Sequence, residues 1–565
     1  MPHKPLSQKS SPFHKTSRSK KPSAFHKASR SKKAPVSRKA NALSAKPQTE
    51  RFFLPMLLLL CAVTTLMQGV QSLAALPASC ITGGCLILFA LASAALLVFR
   101  SRRTLSEEHV VFFLLFCGML LHCWYVLLSG LYDRQHDEGF YTGIASPQIN
   151  PGHIGYIEYI YKFHKLPDIN PYQYFSYYHP PLHYILSGLW LFFLTSLGMA
   201  EDLAFENLQI LPLFYSGLLM LLTYRILKRI NATGKGLYAG LLLVAIHPAL
   251  TIMSGSVNND MLSTLLLTAA ILATLRWLQD KTCLNLLLIA ISIGLGILCK
   301  INAAVIALPT GLVFLCDFLH ELRTGNKPAI RRCLFRYFLF GCTAGTIGLS
   351  WIARNLLRFH VKPGISSATE SSVMYTGNYG IWSRIGLPSL SDWHFAFPFH
   401  ALSGEANHNI WVILFQTSLF AEEYPSDLTG LPLLFCQAAY PAAILFATAC
   451  AALFLAAQCR KAKMAQKEIR KADAAKAGLE ALYLSAGYLA FLFSFLLFAL
   501  NYPFTCSSDF RYIAVCLVYN AIGLADGSRL YAAGTVQNAG ARLARAGVCA
   551  TLALMVIVYL TWRRW

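Results

Sequence analysis

Apolar residues come in long unbroken runs along most of this chain, with neither the period of 3.6 nor the period of two that marks a soluble fold. Runs of about twenty such residues are what a bilayer demands of a spanning helix. They begin near Phe52, Pro77, His109, Pro181, Leu208, Gly236, Met261, Leu284, Ile301, Leu334, Leu431, Gly478, Tyr512 and Val548. The pattern predicts an all-α polytopic membrane protein. One stretch departs from it: from His153 to His164 apolar or aromatic residues fall at 154, 157, 160, 161 and 163, the pattern of an amphipathic helix lying in the interface.

Composition agrees with this reading. Of the 565 residues 55% are apolar and only 13% charged, against roughly a quarter charged in soluble domains. The formal net charge of +23 would suit a nucleic-acid partner, but its distribution does not. Residues 1–50 form a Lys/Arg/Ser/Pro tail in which Phe13–Lys21 recurs with little change as Phe25–Lys33. Too little can be buried there to offset ordering, so a disordered tail is expected. By the positive-inside rule it holds the N-terminus in the cytoplasm. Anionic lipid is its expected contact, and no specific nucleic acid is expected. A cleavable secretory signal is not expected, because some fifty polar residues precede the first apolar run. Sixteen cysteines lie mostly inside apolar segments without zinc spacing and read as small hydrophobes.

The basic loops orient the spans. With the tail inside, Arg100, Arg102 and Arg103 fall inside after the second run. The clusters at 225–235, 323–336 and 460–476 also fall inside, provided that the run from Pro181 is re-entrant or interfacial. Thirteen crossings and one non-crossing segment result, with the C-terminus outside. Two large outer loops remain, 133–180 and 359–430. The expected organisation is a tail at 1–50, two N-terminal spans at 51–105, a catalytic membrane domain at 106–530, and a last span at 531–565.

Polar groups collect on the outer side. The first outer loop carries Asp137, Glu138, His153 and Glu158, and closes on Lys165-Leu166-Pro167 and Tyr178-His179-Pro180-Pro181-Leu182. Asp137 follows the third span closely, where a carboxylate can take a proton from a hydroxyl in a low-dielectric setting. Asn258, Asn259 and Asp260 open one span and suit helix capping as well as function. Lys300 interrupts two apolar runs, an expensive place for a cation unless it is paired or near an interface. Arg354 ends another span in Trp351-Ile352-Ala353-Arg354-Asn355, and Arg511 lies in the short turn Cys506–Tyr512.

An outer-loop acid after a span, then an interfacial helix ending in Lys-Leu-Pro, then Tyr-His-Pro-Pro-Leu, resembles the GT-C superfamily of membrane glycosyltransferases. Within it, the protein O-mannosyltransferase-like and aminoarabinose-transferase-like enzymes (family 39 type) are the most similar. The resemblance implies Asp137 as general base with Glu138 second. It places His153, Glu158 and His179 near the site and gives Asn259 and Asp260 to donor positioning. Lys300, Arg354 and Arg511 become contacts to donor phosphate or sugar. The spacing from Asp137 to Pro180 exceeds that of the family, which keeps Glu158 as an alternative base.

The implied activity is transfer of a sugar from a polyprenyl-phosphate donor to a glycan, lipid or protein acceptor hydroxyl at the outer face of the membrane, a bacterial plasma membrane by the look of the family. No cofactor is assigned and no residue is given to a metal, although the resemblance leaves a divalent ion open. The competing expectation is a multi-span transporter or lipid flippase. It predicts inverted repeats and ionisable groups at mid-membrane, whereas the acids concentrate in the outer loops.

Overall fold

In a computed structural model of the chain, residues 48–72, 76–132, 152–362, 374–387, 408–420, 430–467 and 472–532 are described. Each apolar run forms a helix, except the one beginning at Val548, which lies outside the described residues. The helices are α1 (Gln48–Ser72), α2 (Ala78–Ser101), α3 (Glu107–Leu128), α4 (Gly152–Phe163), α5 (Leu182–Ser196), α6 (Glu201–Glu206), α7 (Ile210–Arg229), α8 (Gly234–Ile246) and α9 (Pro248–Met253). They continue as α10 (Asp260–Gln279), α11 (Cys283–Cys299), α12 (Ala307–Thr324), α13 (Lys327–Phe359), α14 (Ile381–Ile385), α15 (Ile410–Phe420), α16 (Gly430–Lys467), α17 (Ala472–Asn501) and α18 (Cys516–Ala532). Among the described residues nine helical spans are long and apolar enough to cross a bilayer. No strand is present among them. The protein is an all-α, multi-pass membrane protein.

Ion pairs mark one end of the bundle. Lys228 at the end of α7 binds Glu107 at the start of α3 (2.7 Å), and a second oxygen of Glu107 accepts from the Gly234 amide at the start of α8 (2.8 Å). Arg229 reaches Glu480 of α17 (3.8 Å) and donates to the Leu275 carbonyl near the end of α10 (2.8 Å). Lys461 pairs with Asp526 between α16 and α18 (2.7 Å), and Lys281 pairs with the buried Asp317 of α12. These contacts bring residues of the basic clusters 225–235 and 460–476 to a single end.

The path between α3 and α7 bears on the course of α5. At the far end of α3 the Leu131 amide donates to Glu206 (3.1 Å), and Gln209 donates to the Gly130 carbonyl (3.4 Å). The chain thus leaves α3 and enters α7 at the same end of the bundle. Helix α5 has 15 residues, about 22 Å at 1.5 Å per residue, against a hydrocarbon core of about 30 Å. It packs against α4. Its inner face and that of α4 form a small core of their own, with Ile154, Tyr156, Ile157, Tyr184 and Leu191 all buried.

Within the main bundle α10 is buried nearly all round, whereas α2 has no buried residue and presents its surface to lipid. Helices α8 and α18 approach closely because Gly236 and Gly240 lie on their contact. A Cβ at Gly240 would stand 2.7 Å from the Ala521 carbonyl oxygen, and one at Gly236 would stand 2.6 Å from Ser528 Oγ. Small residues four apart allow this approach in membranes, where packing rather than water exclusion holds helices together. The break between α8 and α9 follows from Pro248, which fixes the residue before it, His247, in extended backbone (φ −68°, ψ 127°).

The apolar pattern marks no element within the region 359–430, expected as an outer loop. The structure sets α15 there, with nearly every side chain from Ile410 to Phe420 buried. At 11 residues it is too short to be recognised as a span and too apolar to be a surface loop.

Candidate functional site

Three chain segments meet at the end of the bundle opposite the ion-pair belt: the start of α10, the end of α11, and the turn between α17 and α18. Asn258 Oδ1 accepts from the Asp260 amide (3.0 Å), a local side-chain bond that sets the first turn of α10. Helix α11 ends at Lys300, whose backbone turns extended (φ −152°, ψ 127°). A carbonyl left over at this helix end is that of Cys299, and Asn259 Nδ2 donates to it (2.9 Å). Asp260 therefore stands at a helix N-terminus and Lys300 at a C-terminus, each at the end whose dipole favours its charge.

The side chains then pair. Lys300 Nζ donates to Asp260 Oδ1, and the other oxygen of Asp260 faces Arg511 Nη1 at 3.8 Å. Asp509 Oδ1 accepts from the Arg511 amide at 2.8 Å and lies 4.0 Å from its Nε. The Tyr512 ring lies 4.5 Å from the Lys300 ammonium and 5.5 Å from the Arg511 guanidinium. Two cations and two carboxylates are thus held within one buried cluster, with Asp260 shared between the cations. Charges removed from water persist only when matched in this way. Of the residues named from sequence, Asn259, Asp260, Lys300 and Arg511 are brought together here.

A second group forms on α4 and α5. The ring of His153 lies 5.4 Å from that of His179 in a stacked arrangement, and its Nδ1 is 2.7 Å from Tyr184 Oη. Tyr156 stacks between Tyr177 (4.6 Å) and Tyr184 (4.1 Å). Burial pushes the Tyr156 and Tyr177 phenols above their ordinary range, so both stay protonated. Glu158 projects from the same helix and pairs with Lys162 one turn on (2.5 Å).

Arg354 lies beside the second group, within electrostatic reach of the Tyr156 phenol. It donates to the Pro167 carbonyl and to Asn355 Oδ1 (2.9 Å), and its guanidinium stacks on Trp351 (4.6 Å). Arg358 adds an ion pair to Asp168. The end of α13 thereby fastens the Lys165-Leu166-Pro167 segment that follows α4. A crevice is lined by Tyr172, Tyr178, Trp351 and Asn355 together with Ile301, the residue after Lys300. Asp137 and Glu138 lie outside the described residues. Among the described residues no three His, Cys, Asp or Glu side chains gather as a metal site.

Sequence reasoning missed Asp509, Tyr512 and the buried His247, whose ring stacks on Phe510 (5.1 Å, 17°). Asp509 carried a readable signal, since Asp two residues before the amide that it binds is a common turn former. His247 carried none beyond its place before a proline.

Comparison with known proteins bears on the same segments. Residues 179–328 match the family described as dolichyl-phosphate-mannose-protein mannosyltransferase. The match takes in 150 of the 565 residues. That segment contains His179, Asn259, Asp260 and Lys300, while Arg354 and Arg511 follow it. No curated protein matches the chain by sequence.

Solved structures that it resembles include the archaeal oligosaccharyltransferase AglB of Archaeoglobus fulgidus in complex with an inhibitory peptide and a dolichol-phosphate. That match has a TM-score of 0.42 and 14% identity and covers 80% of this chain and 55% of that one. The Archaeoglobus fulgidus oligosaccharyltransferase in its apo form matches with a TM-score of 0.42 and 12% identity, covering 80% of this chain and 56% of that one. The same enzyme tethered to an acceptor peptide gives 0.43 and 13%, covering 80% and 55%. The chain therefore spans about half the length of these structures.

Proposed function

We propose that this protein is an integral-membrane glycosyltransferase that moves a sugar from a polyprenyl-phosphate donor to an acceptor hydroxyl at the outer face of the membrane. The observation that carries the reading is the convergence of Lys300 and Arg511 on Asp260. Two cations, pre-placed in a buried site and contributed by separate segments, suit a ligand whose negative charge grows during reaction. Because they lie at helix ends, opposite the belt of basic loops, the site faces outward if the positive-inside rule holds. Ionisable groups at this depth fit a surface-facing enzyme better than a transporter with charges midway through its spans.

In the proposed reaction the acceptor oxygen attacks the anomeric carbon of the donor, and its proton passes to Asp137. Glu138 is the second choice for that role and Glu158 the alternative. The new bond joins the anomeric carbon to the acceptor oxygen, while the bond from that carbon to the phosphate oxygen breaks. Its electron pair leaves with the polyprenyl phosphate. Lys300 and Arg511 counter that charge, and Asn259 and Asp260 fix the position of the lysine. His153 and His179 border the acceptor side, and Arg354 holds the loop after α4 in place beside them. A plasma-membrane location, a cytoplasmic N-terminus and an anionic-lipid contact for the tail complete the proposal.

Incubating the purified full-length protein with a panel of radiolabelled polyprenyl-phosphate sugars tests this. Label should move to an acceptor from at least one donor, and Asp137→Asn should abolish the transfer without loss of expression or membrane insertion. Transfer undiminished in Asp137→Asn would remove that residue from the mechanism.

A further inference from the structure

Arg511 is useful to a phosphate only if its turn is held over Asp260, and that turn has little structure of its own. It consists of two short 3-10 segments, Thr505–Ser508 and Phe510–Ile513, between long helices. Two contacts fix its centre. The Phe510 ring stacks on His247 (5.1 Å), and the Phe510 amide donates to Thr417 Oγ1 (2.9 Å). Thr417 is fully buried on α15, and its own hydroxyl donates back to the Ile413 carbonyl (2.8 Å). A hydroxyl can do both at once, with one proton to give and lone pairs to receive.

Helix α15 is in turn anchored at its start. Asn409 Oδ1 accepts from the amides of Trp411 (3.0 Å) and Val412 (3.2 Å) as a helix cap. Its Nδ2 donates to the Gly386 carbonyl (2.9 Å), and Trp411 Nε1 donates to the Ile385 carbonyl (2.7 Å). Arg384, on the same short helix α14, donates to the Leu500 (2.9 Å) and Ala499 (2.5 Å) carbonyls at the end of α17. A continuous brace therefore runs from the end of α17 through α14 and α15 to the amide next to Arg511.

We infer that Thr417 is a positioning residue for Arg511, and that α15, read from sequence as part of an outer loop, is the strut that holds the phosphate-facing guanidinium over Asp260. The inference rests on the proposed function for its purpose, but the positioning itself is separable from it. Thr417→Val removes the acceptor at nearly constant volume, and Thr417→Ser retains it.

Two readouts on the full-length protein test this. The first needs no ligand: phenylglyoxal labelling of arginines, quantified by peptide mass spectrometry. Arg511, now almost fully buried, should label several-fold faster in Thr417→Val and at the wild-type rate in Thr417→Ser, with Arg384 unchanged in both. Unaccelerated Arg511 labelling in Thr417→Val overturns the inference, as does equal acceleration at Arg384, which would mark general loosening. The second readout is binding of farnesyl phosphate as a short polyprenyl-phosphate probe. Thr417→Val should weaken it about fivefold, the scale of one lost hydrogen bond, and should add nothing on an Arg511→Ala background. An equal loss on that background overturns the inference. If farnesyl phosphate binds alike to the wild type and Arg511→Ala, the phosphate role of Arg511 fails while the labelling result still decides the strut.

Discussion

The chemistry is concentrated in a few charges whose value depends on their partners. Lys300 alone at the end of α11 would be an unmatched buried cation, and Asp260 alone an unmatched buried carboxylate. Breaking such a pair from one side typically costs about 3–5 kcal/mol, because the other charge is left behind. Lys300→Met should therefore lower both thermal stability and sugar transfer. Adding Asp260→Asn to it should restore much of the stability while leaving transfer at background, a separation that differential scanning fluorimetry and a transfer assay can detect. Recovery of transfer in the double variant would show that the pair is architectural. Lys300 was visible in the sequence as a cation between apolar runs, and Arg511 as a cation in a short turn between spans. Asp260 was visible too, at the start of a span, but not its pairing with both cations, because the three residues are far apart in the chain and only packing brings them together. Thr417 carried no mark at all, since a threonine in an apolar stretch commonly just bonds back to its own helix.

At the scale of elements, the bilayer makes most of the architecture readable. A span must be long and continuously apolar, so the long helices α1, α2, α3, α7, α10, α12, α13, α16 and α17 appear in the sequence as runs. Elements that need not cross escape that rule. Helix α5 shows as an apolar run, and its non-crossing course is an expectation from charge alone, since a full crossing would carry Arg225, Lys228, Arg229 and Lys235 to the wrong side. Helix α15 was not recovered, because its 11 residues lie below the spanning length inside a region with acidic flanks. Close packing of helices was equally hidden. Gly240 reads as an ordinary small residue until the Ala521 carbonyl is seen 2.7 Å from the place of its missing Cβ. Gly240→Leu should push α8 from α18 and lower the melting temperature by several degrees, the scale of a core overpacking of about 1–3 kcal/mol. Gly311→Leu, where a Cβ meets nothing within 4 Å, should leave it unchanged. Equal effects at the two sites would argue that the close approach is incidental.

For the whole molecule, the two ends of the bundle differ in kind. One end is tied by inter-helix ion pairs between basic loops and acids on neighbouring helices. The other holds the charge cluster, the aromatic and histidine group on α4 and α5, and the brace from α14 to α15. This polarity predicts that Lys235 and Lys476 react with an impermeant amine reagent only from the cytoplasmic side, and Lys362 only from outside. Labelling of Lys235 from outside would invert the orientation and with it the side on which acceptor is met.

The central claim is that Lys300 and Arg511 hold the phosphate of a lipid-linked sugar through the transfer step. Single-turnover transfer from the preferred polyprenyl-phosphate donor, compared between the wild type and the Lys300→Met/Asp260→Asn protein at matched stability, tests it most directly. A transfer rate at least a hundredfold lower, on the scale of losing one transition-state charge contact, is the predicted result. A rate within twofold of wild type would contradict it.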